Sequence, residues 1–256
     1  MTFPVLICIP HSGTKIPTEL KSKIKIKSKE VFADIDAYTK EIYDIGSSAM
    51  KVISTPYART FIDVNRNEND LPPNQPDGIV KSMTCYKDPI YKLASEPDSK
   101  LLQKLIKKYY EPYHTQILGV TKFLDLKLAL DCHSMAAVAP DISPDVGQER
   151  PLICLGNCFG KSCSTEMTER LAECFRLAFG LSSNAIKINE PFFGKYTTQK
   201  YGNKPVPWVH VELNRRLFLE KPWFDSRTLK IDKKRLLKLN YMFEMALRLF
   251  FDNAKL

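Results

Sequence analysis

Short apolar stretches punctuate the chain: VLICI at 5–9, MKVIST at 50–55, KLALD at 127–131, LICLG at 152–156, NAIKI at 184–188 and WVHVEL at 208–213. Their length and their content of branched aliphatic residues predict buried strands. The segments between them have helical periodicity. Residues 99–123 place Leu102, Ile106, Tyr110, Tyr113 and Ile117 three or four apart, and Pro112 is expected to kink or divide that helix. Ser164 is placed to cap a helix ended by Gly180, and 232–250 reads as a last amphipathic helix. Strands alternating with helices predict an α/β protein with a largely parallel sheet covered on both faces. Residues 1–256 are expected to form a single domain, with long proline-rich loops at 70–78 and 139–151.

Composition narrows this picture. The 256 residues are 44% hydrophobic and 11% aromatic, enough for a sizeable core. Lysine and arginine number 38 against 29 acids, a net charge of +9. The lysine runs KSKIKIKSK (21–29) and KIDKKRLLK (230–238) adjoin no aromatic ladder of the kind that stacks bases, so they read as solvated faces and no nucleic-acid partner is expected. No apolar run reaches the roughly 20 residues of a membrane span, and the amino terminus lacks the basic flank of a signal peptide. The expected location is the cytoplasm. Seven scattered cysteines without a C-x-x-C pair fit reduced thiols.

Chemistry concentrates where strands end. In LALDCHSM (128–135) an apolar run gives way to Asp131, His133 and Ser134, and His11 directly follows the first strand. Catalytic and binding groups of open α/β sheets gather at the carboxyl ends of strands, so two of the four histidines are placed to share one crevice. Two imidazoles plus an acid would hold a catalytic zinc with a position left for water. The acid could be Asp34, Asp36, Asp131 or Glu212. Asp131 shares a strand face with His133, which suits a carboxylate that orients a ligand. Glu212 shares a face with His210, and burying it between Val211 and Leu213 is costly without a purpose. Arg59 and Arg66, in YARTFIDVNRNEND (57–70), can each fork onto a carboxylate, with Asp63 a ready partner for one of them. GNCFGKS (156–162) lacks the four residues between glycines that a phosphate loop requires. His114 reads as a structural histidine.

Taken in order, IPHSG (9–13), DIDAYTKEIYD (34–44), ARTFIDVNR (58–66), YYEPYH (109–114), DCHSM (131–135), LGNCFGKSC (155–163) and VELNRRLF (211–218) resemble the N-formylglutamate amidohydrolase family. The resemblance implies a three-layer α/β/α, phosphorylase/hydrolase-like fold with a mostly parallel mixed sheet, related to the zinc carboxypeptidases and aspartoacylases. It implies zinc-dependent cleavage of an N-acyl amide on a small acidic amino acid. It makes His11, Asp36 and His133 the metal ligands, Asn65 and Arg66 the substrate-carboxylate pair, and Glu212 the general base. Arg59 would stabilise the oxyanion, and Lys195 and Tyr196 would line the pocket mouth. Lys195 stands where a glycine is usual, Asn157 where an aspartate is usual, and His210 where a glutamine is usual. Two rivals follow from the same residues: a carboxypeptidase-like or other N-acyl-amino-acid deacylase, and a basic nucleic-acid-binding protein on a hydrolase scaffold.

Overall fold

The computed structural model describes residues 2–140 and 143–252. The apolar stretches form β1 (Phe3–Ile9), β2 (Ala49–Ser54), β3 (Leu128–Met135), β4 (Ile153–Gly156), β5 (Ile186–Ile188) and β6 (Trp208–Asn214). They join in one sheet of order β2-β1-β3-β6-β4-β5. Neighbours run parallel except β4 and β6, which are antiparallel. The sheet is therefore mixed and mostly parallel. A small hairpin, β7 (Phe224–Asp225) with β8 (Lys230–Ile231), stands apart from it.

Alternation along the strands sorts the side chains into two cores. Val5, Ile7, Leu130, Cys132, Val209, Val211 and Leu213 face one side. There they meet α2 (Thr39–Tyr43), α5 (Thr165–Phe179) and α7 (Lys233–Asp252), through Tyr43, Phe175, Phe243 and Leu247. Leu6, Cys8, Ala129 and Trp208 face the other, under Leu105 of α3 (Ser99–Leu105) and Tyr113 and Ile117 of α4 (Glu111–Phe123). The architecture is three-layer α/β/α. Two short helices complete it: α1 (Ser28–Asp34), which precedes α2, and α6 (Tyr196–Tyr201), which precedes β6.

The helix boundaries follow local chemistry. Ser164 accepts a hydrogen bond from the Met167 amide at the start of α5, and Gly180 closes it at a φ of 62°, where a Cβ would be strained. The long predicted helix is divided, as Pro112 requires. The division takes the form of a π-helical stretch, Ile106–Tyr110, between α3 and α4. Proline then falls in the first turn of α4, where its missing N–H breaks no intrahelical bond. All seven cysteines are free thiols, and among the described residues no helix is long and apolar enough to cross a membrane.

Phe243 is the hinge of the α2–α5–α7 core, with ring centres 4.9 Å from Tyr43 and 6.0 Å from Phe175. Phe243→Ala should cost about 3–5 kcal/mol of stability, read as a lower urea midpoint with an unchanged slope. A loss below about 1 kcal/mol would show that this core collapses around the gap.

Candidate functional site

The site forms on the α3–α4 face of the sheet, at the carboxyl ends of β1, β3 and β6. Residues that would otherwise continue that apolar face become polar there: Asp131 and His133 on β3, His210 and Glu212 on β6. Parallel pairing sets Asp131 beside His210 and His133 beside Glu212. His11 enters from the end of β1. Asp36, between α1 and α2, reaches it through a backbone bond from its own amide to the His11 carbonyl, 3.0 Å. Tyr43 of α2 fixes the opposite edge by donating to the His133 carbonyl at 2.8 Å.

Each of the two imidazoles is held at one nitrogen and points the other at the same oxygen. His11 Nε2 lies 2.7 Å from Asp63 Oδ1, and His133 Nε2 lies 3.0 Å from Asp131 Oδ1. The two Nδ1 atoms turn to Asp36 Oδ2, at 3.4 Å for His11 and 3.0 Å for His133. Asp36 Oδ1 is taken by Arg215 Nη2 at 3.0 Å. The ligand atoms of His11, Asp36 and His133 lie within 4.8 Å of one another, and His11 Nδ1 is buried without a hydrogen-bond partner. Carboxylate–imidazole pairs that leave two ring nitrogens facing a carboxylate oxygen are the donor set of a zinc centre. The residues present therefore fit zinc.

A second cluster, Asp131, His133 and His210, is as compact but is already bonded within the protein. Asp131 Oδ2 accepts from Asn65 Nδ2 and Thr198 Oγ1, both at 3.1 Å, and lies 3.3 Å from His210 Nδ1. Asp34 is likewise engaged, by Thr60 and the Cys85 amide, with Lys81 3.5 Å away.

Electrostatics follow from this packing. Burial alone would raise the Asp36 and Asp63 pKa values, but the imidazoles around Asp36, and Arg59, Arg66 and His11 around Asp63, hold both carboxyls well below the usual range. Burial alone would lower His133; the Asp131 charge and bond, with the Asp36 bond, outweigh it and raise the ring to about 10. A metal cation at the Nδ1 atoms would take the place of that proton.

The remaining expected residues separate into two groups. Arg59, Arg66, Lys195 and Glu212 line the same pocket as the metal-fit residues, a space of about 160 Å³. Glu212 Oε1 is 3.0 Å from His210 Nε2, and its Oε2 is buried with no partner among the described residues. Arg59 gives Nη2 to Asp63 at 2.8 Å. Arg66 gives Nε and Nη2 to Asp77 and Nη1 to the Asn65 carbonyl. Asn65 and Tyr196 are not among the pocket-lining residues. Asn65 lies behind His133, its amide on Asp131 and its Oδ1 on the Thr197 amide, so it supports the imidazole from below. Tyr196 packs edge-on against His114, ring centres 5.9 Å apart, with Lys200 over its face.

Three residues enter that the sequence reading gave no such role. Asp63 was expected to pair with an arginine; it does, and also clamps His11. Arg215, on the turn after β6, binds Asp36, Ser134 and the Ala33 and Ile35 carbonyls. Arg150, from the long 139–151 loop, stacks 4.9 Å from the Phe192 ring centre and borders the pocket. Arg215 follows a strand end directly, the same signal that exposed His11. Nothing local marks Arg150.

Residues 3–219 match the family model described as N-formylglutamate amidohydrolase. The chain belongs to the N-formylglutamate amidohydrolase family. The N-formylglutamate deformylase of Pseudomonas putida is 24% identical over 227 residues, 85% of this chain and 82% of that protein. The crystal structure of N-formylglutamate amidohydrolase from Ralstonia eutropha JMP134 superposes with a TM-score of 0.77 at 18% identity, covering 98% of this chain and 94% of that one. A gene product of Agrobacterium tumefaciens follows at 0.67 and 15% identity, covering 99% and 92%. Both structures share the fold.

His114 sits outside the pocket, bonded to the Tyr201 hydroxyl at 2.8 Å and the Val64 carbonyl at 3.0 Å. Burial, aided by Lys200, lowers its pKa to about 4. The unfolded chain, with a histidine near 6.5, therefore takes up the proton first as pH falls. The stability this ring contributes is full above about pH 6.5 and is lost as pH falls towards about 4. His114→Gln should flatten the urea midpoint across that interval relative to the parent, whereas an identical slope would remove His114 as its source.

Proposed function

We propose that this protein is a zinc-dependent amidohydrolase that releases formate from N-formylglutamate. The observation carrying the reading is the convergence of His11 Nδ1, His133 Nδ1 and Asp36 Oδ2, beside the unpartnered Oε2 of Glu212, in one arginine-lined pocket. Zinc bound there would supply Lewis acidity and lower the pKa of water to ~7.

The chain's own residues supply the rest. Glu212 Oε2 takes the proton of the attacking water and passes it to the amide nitrogen as the C–N bond breaks, giving formate and the free amine. His210 fixes Glu212 through Oε1, so that the other oxygen faces the crevice. Arg59, pinned on Asp63, directs its guanidinium at the oxygen that gains charge when water adds. Arg66, anchored by Asp77, presents a fixed cationic edge to the α-carboxylate. Asp63, Asp131 and Asn65 orient the two imidazoles.

A wider crevice of about 750 Å³ meets this pocket along Ser143, Arg150, Phe192 and Lys195. It favours a second reading, a deacylase of bulkier N-acyl amino acids, which a panel of formyl, acetyl and longer acyl substrates separates from the first.

Formate release from N-formylglutamate by the zinc-loaded protein tests the proposal directly. Glu212→Gln should keep its zinc and its fold while the rate falls by roughly 10²–10⁴. Loss of zinc in that variant would make Glu212 a ligand; activity within a few-fold of the parent would remove it as the base. Arg66→Ala should raise KM about ten- to hundredfold on every N-formyl amino acid, since a hydrogen bond to a charged group is worth about 1.5–3 kcal/mol. An unchanged KM would confine Arg66 to holding Asp77.

A further inference from the structure

The arginines that border the pocket are each matched to a carboxylate of the protein. Arg59 lies 2.8 Å from Asp63, Arg66 2.7 Å from Asp77, Arg150 3.0 Å from Asp145 and Arg215 3.0 Å from Asp36. Lys195 borders the same pocket and has no ion-pair partner among the described residues. Its amine stands 5.5 Å from the centre of the Phe192 ring, which also carries the Arg150 guanidinium at 4.9 Å. Arg150 is in turn held by both oxygens of Asp145 and by Ser143 Oγ, each at 3.0 Å. Its Nη1 makes no hydrogen bond among the described residues.

This arrangement is an aromatic plate bearing two cations, placed where the inner pocket opens into the wider crevice. Lys195 is exposed at this mouth; desolvation and the Arg66 and Arg59 charges lower its pKa, while Glu212 and Asp77 pull it the other way.

We propose that Lys195, seated with Arg150 on Phe192, is a specificity-determining residue that binds the side-chain carboxylate of the substrate. The pocket then selects N-acyl amino acids with two free carboxylates over those with one. The inference rests on the formylglutamate reading of the pocket. It divides the labour within it: the inner arginines take the α-carboxylate and the reacting carbonyl, and the plate at the mouth takes the distal charge. A neutral side chain would leave Lys195 unmatched, and an acidic one would gain roughly ten- to hundredfold in affinity from a charge-assisted bond.

Binding of glutarate and of its monoamide, glutaramate, to the zinc-loaded protein tests this by calorimetry without turnover. The parent should bind glutarate at least about tenfold more tightly. Lys195→Met should bring the two ligands within about twofold of each other, and Lys195→Arg should restore most of the preference. In the kinetic counterpart, Lys195→Met should raise KM for N-formylglutamate with little change in kcat, and leave KM for N-formylglutamine as in the parent. A parent without the preference, or a Lys195→Met variant that keeps it, would overturn the proposal. A parent that prefers glutarate yet releases no formate would leave the subsite standing and refute the deformylase reading.

Discussion

Asp131 is fully buried and surrounded by hydrogen-bonding neighbours from several elements: His133 on its own strand, His210 on β6, Asn65 from the long loop after β2, and Thr198 on α6. A carboxylate in such a place is tolerable only if every lone pair is matched. The requirement works in both directions. Matching Asp131 forces His133 and His210 into single orientations, which turns His133 Nδ1 towards Asp36 and His210 Nε2 towards Glu212. His133 of the metal-fit group and, through His210, the proposed base are thus oriented by one buried charge. Replacing any one of its partners would leave a buried lone pair unmatched, a change costing about 1–3 kcal/mol.

The sheet makes that convergence possible. Parallel pairing of β1, β3 and β6 brings their carboxyl ends to one edge, and period-two alternation puts Asp131, His133, His210 and Glu212 on one face. β5, at the edge of the sheet, leads into the segment that carries Phe192 and Lys195, and that segment crosses the end of β4, the antiparallel neighbour of β6. Gly156, at that end of β4, is required by contact: a Cβ there would lie 2.5–2.8 Å from the backbone of Phe192, Phe193 and Gly194. Loop and strand touch directly, so the mouth of the pocket is held against the same sheet as its floor.

Much of this was legible from local pattern. The strands follow their apolar runs closely, and the strand-end rule brought out His11 and His133. Alternation alone put His210 with Glu212. What escaped is long-range. Asp63 pairs with Arg59 four residues earlier, which local reasoning foresees, yet its other oxygen binds His11 across 52 positions. Asn65 was expected at the substrate and lies behind His133; Tyr196 was expected at the mouth and packs on His114. In both cases the direction of the side chain is set by partners far along the chain. Pro112 marked a break in the helix, but that the break would be a widened turn before it depends on how Tyr109 and Tyr110 bury themselves.

The central claim is that two carboxylate-clamped imidazoles and Asp36 form a zinc centre. Zinc titration of the metal-free protein and of its Asp63→Asn and Asp131→Asn variants, with folding followed by circular dichroism, tests it most directly. The account predicts one zinc per parent chain and an affinity about 10–100-fold weaker in each folded variant, because neither aspartate would touch the metal. Parent-like affinity in both folded variants, or a parent that binds no zinc, would contradict it.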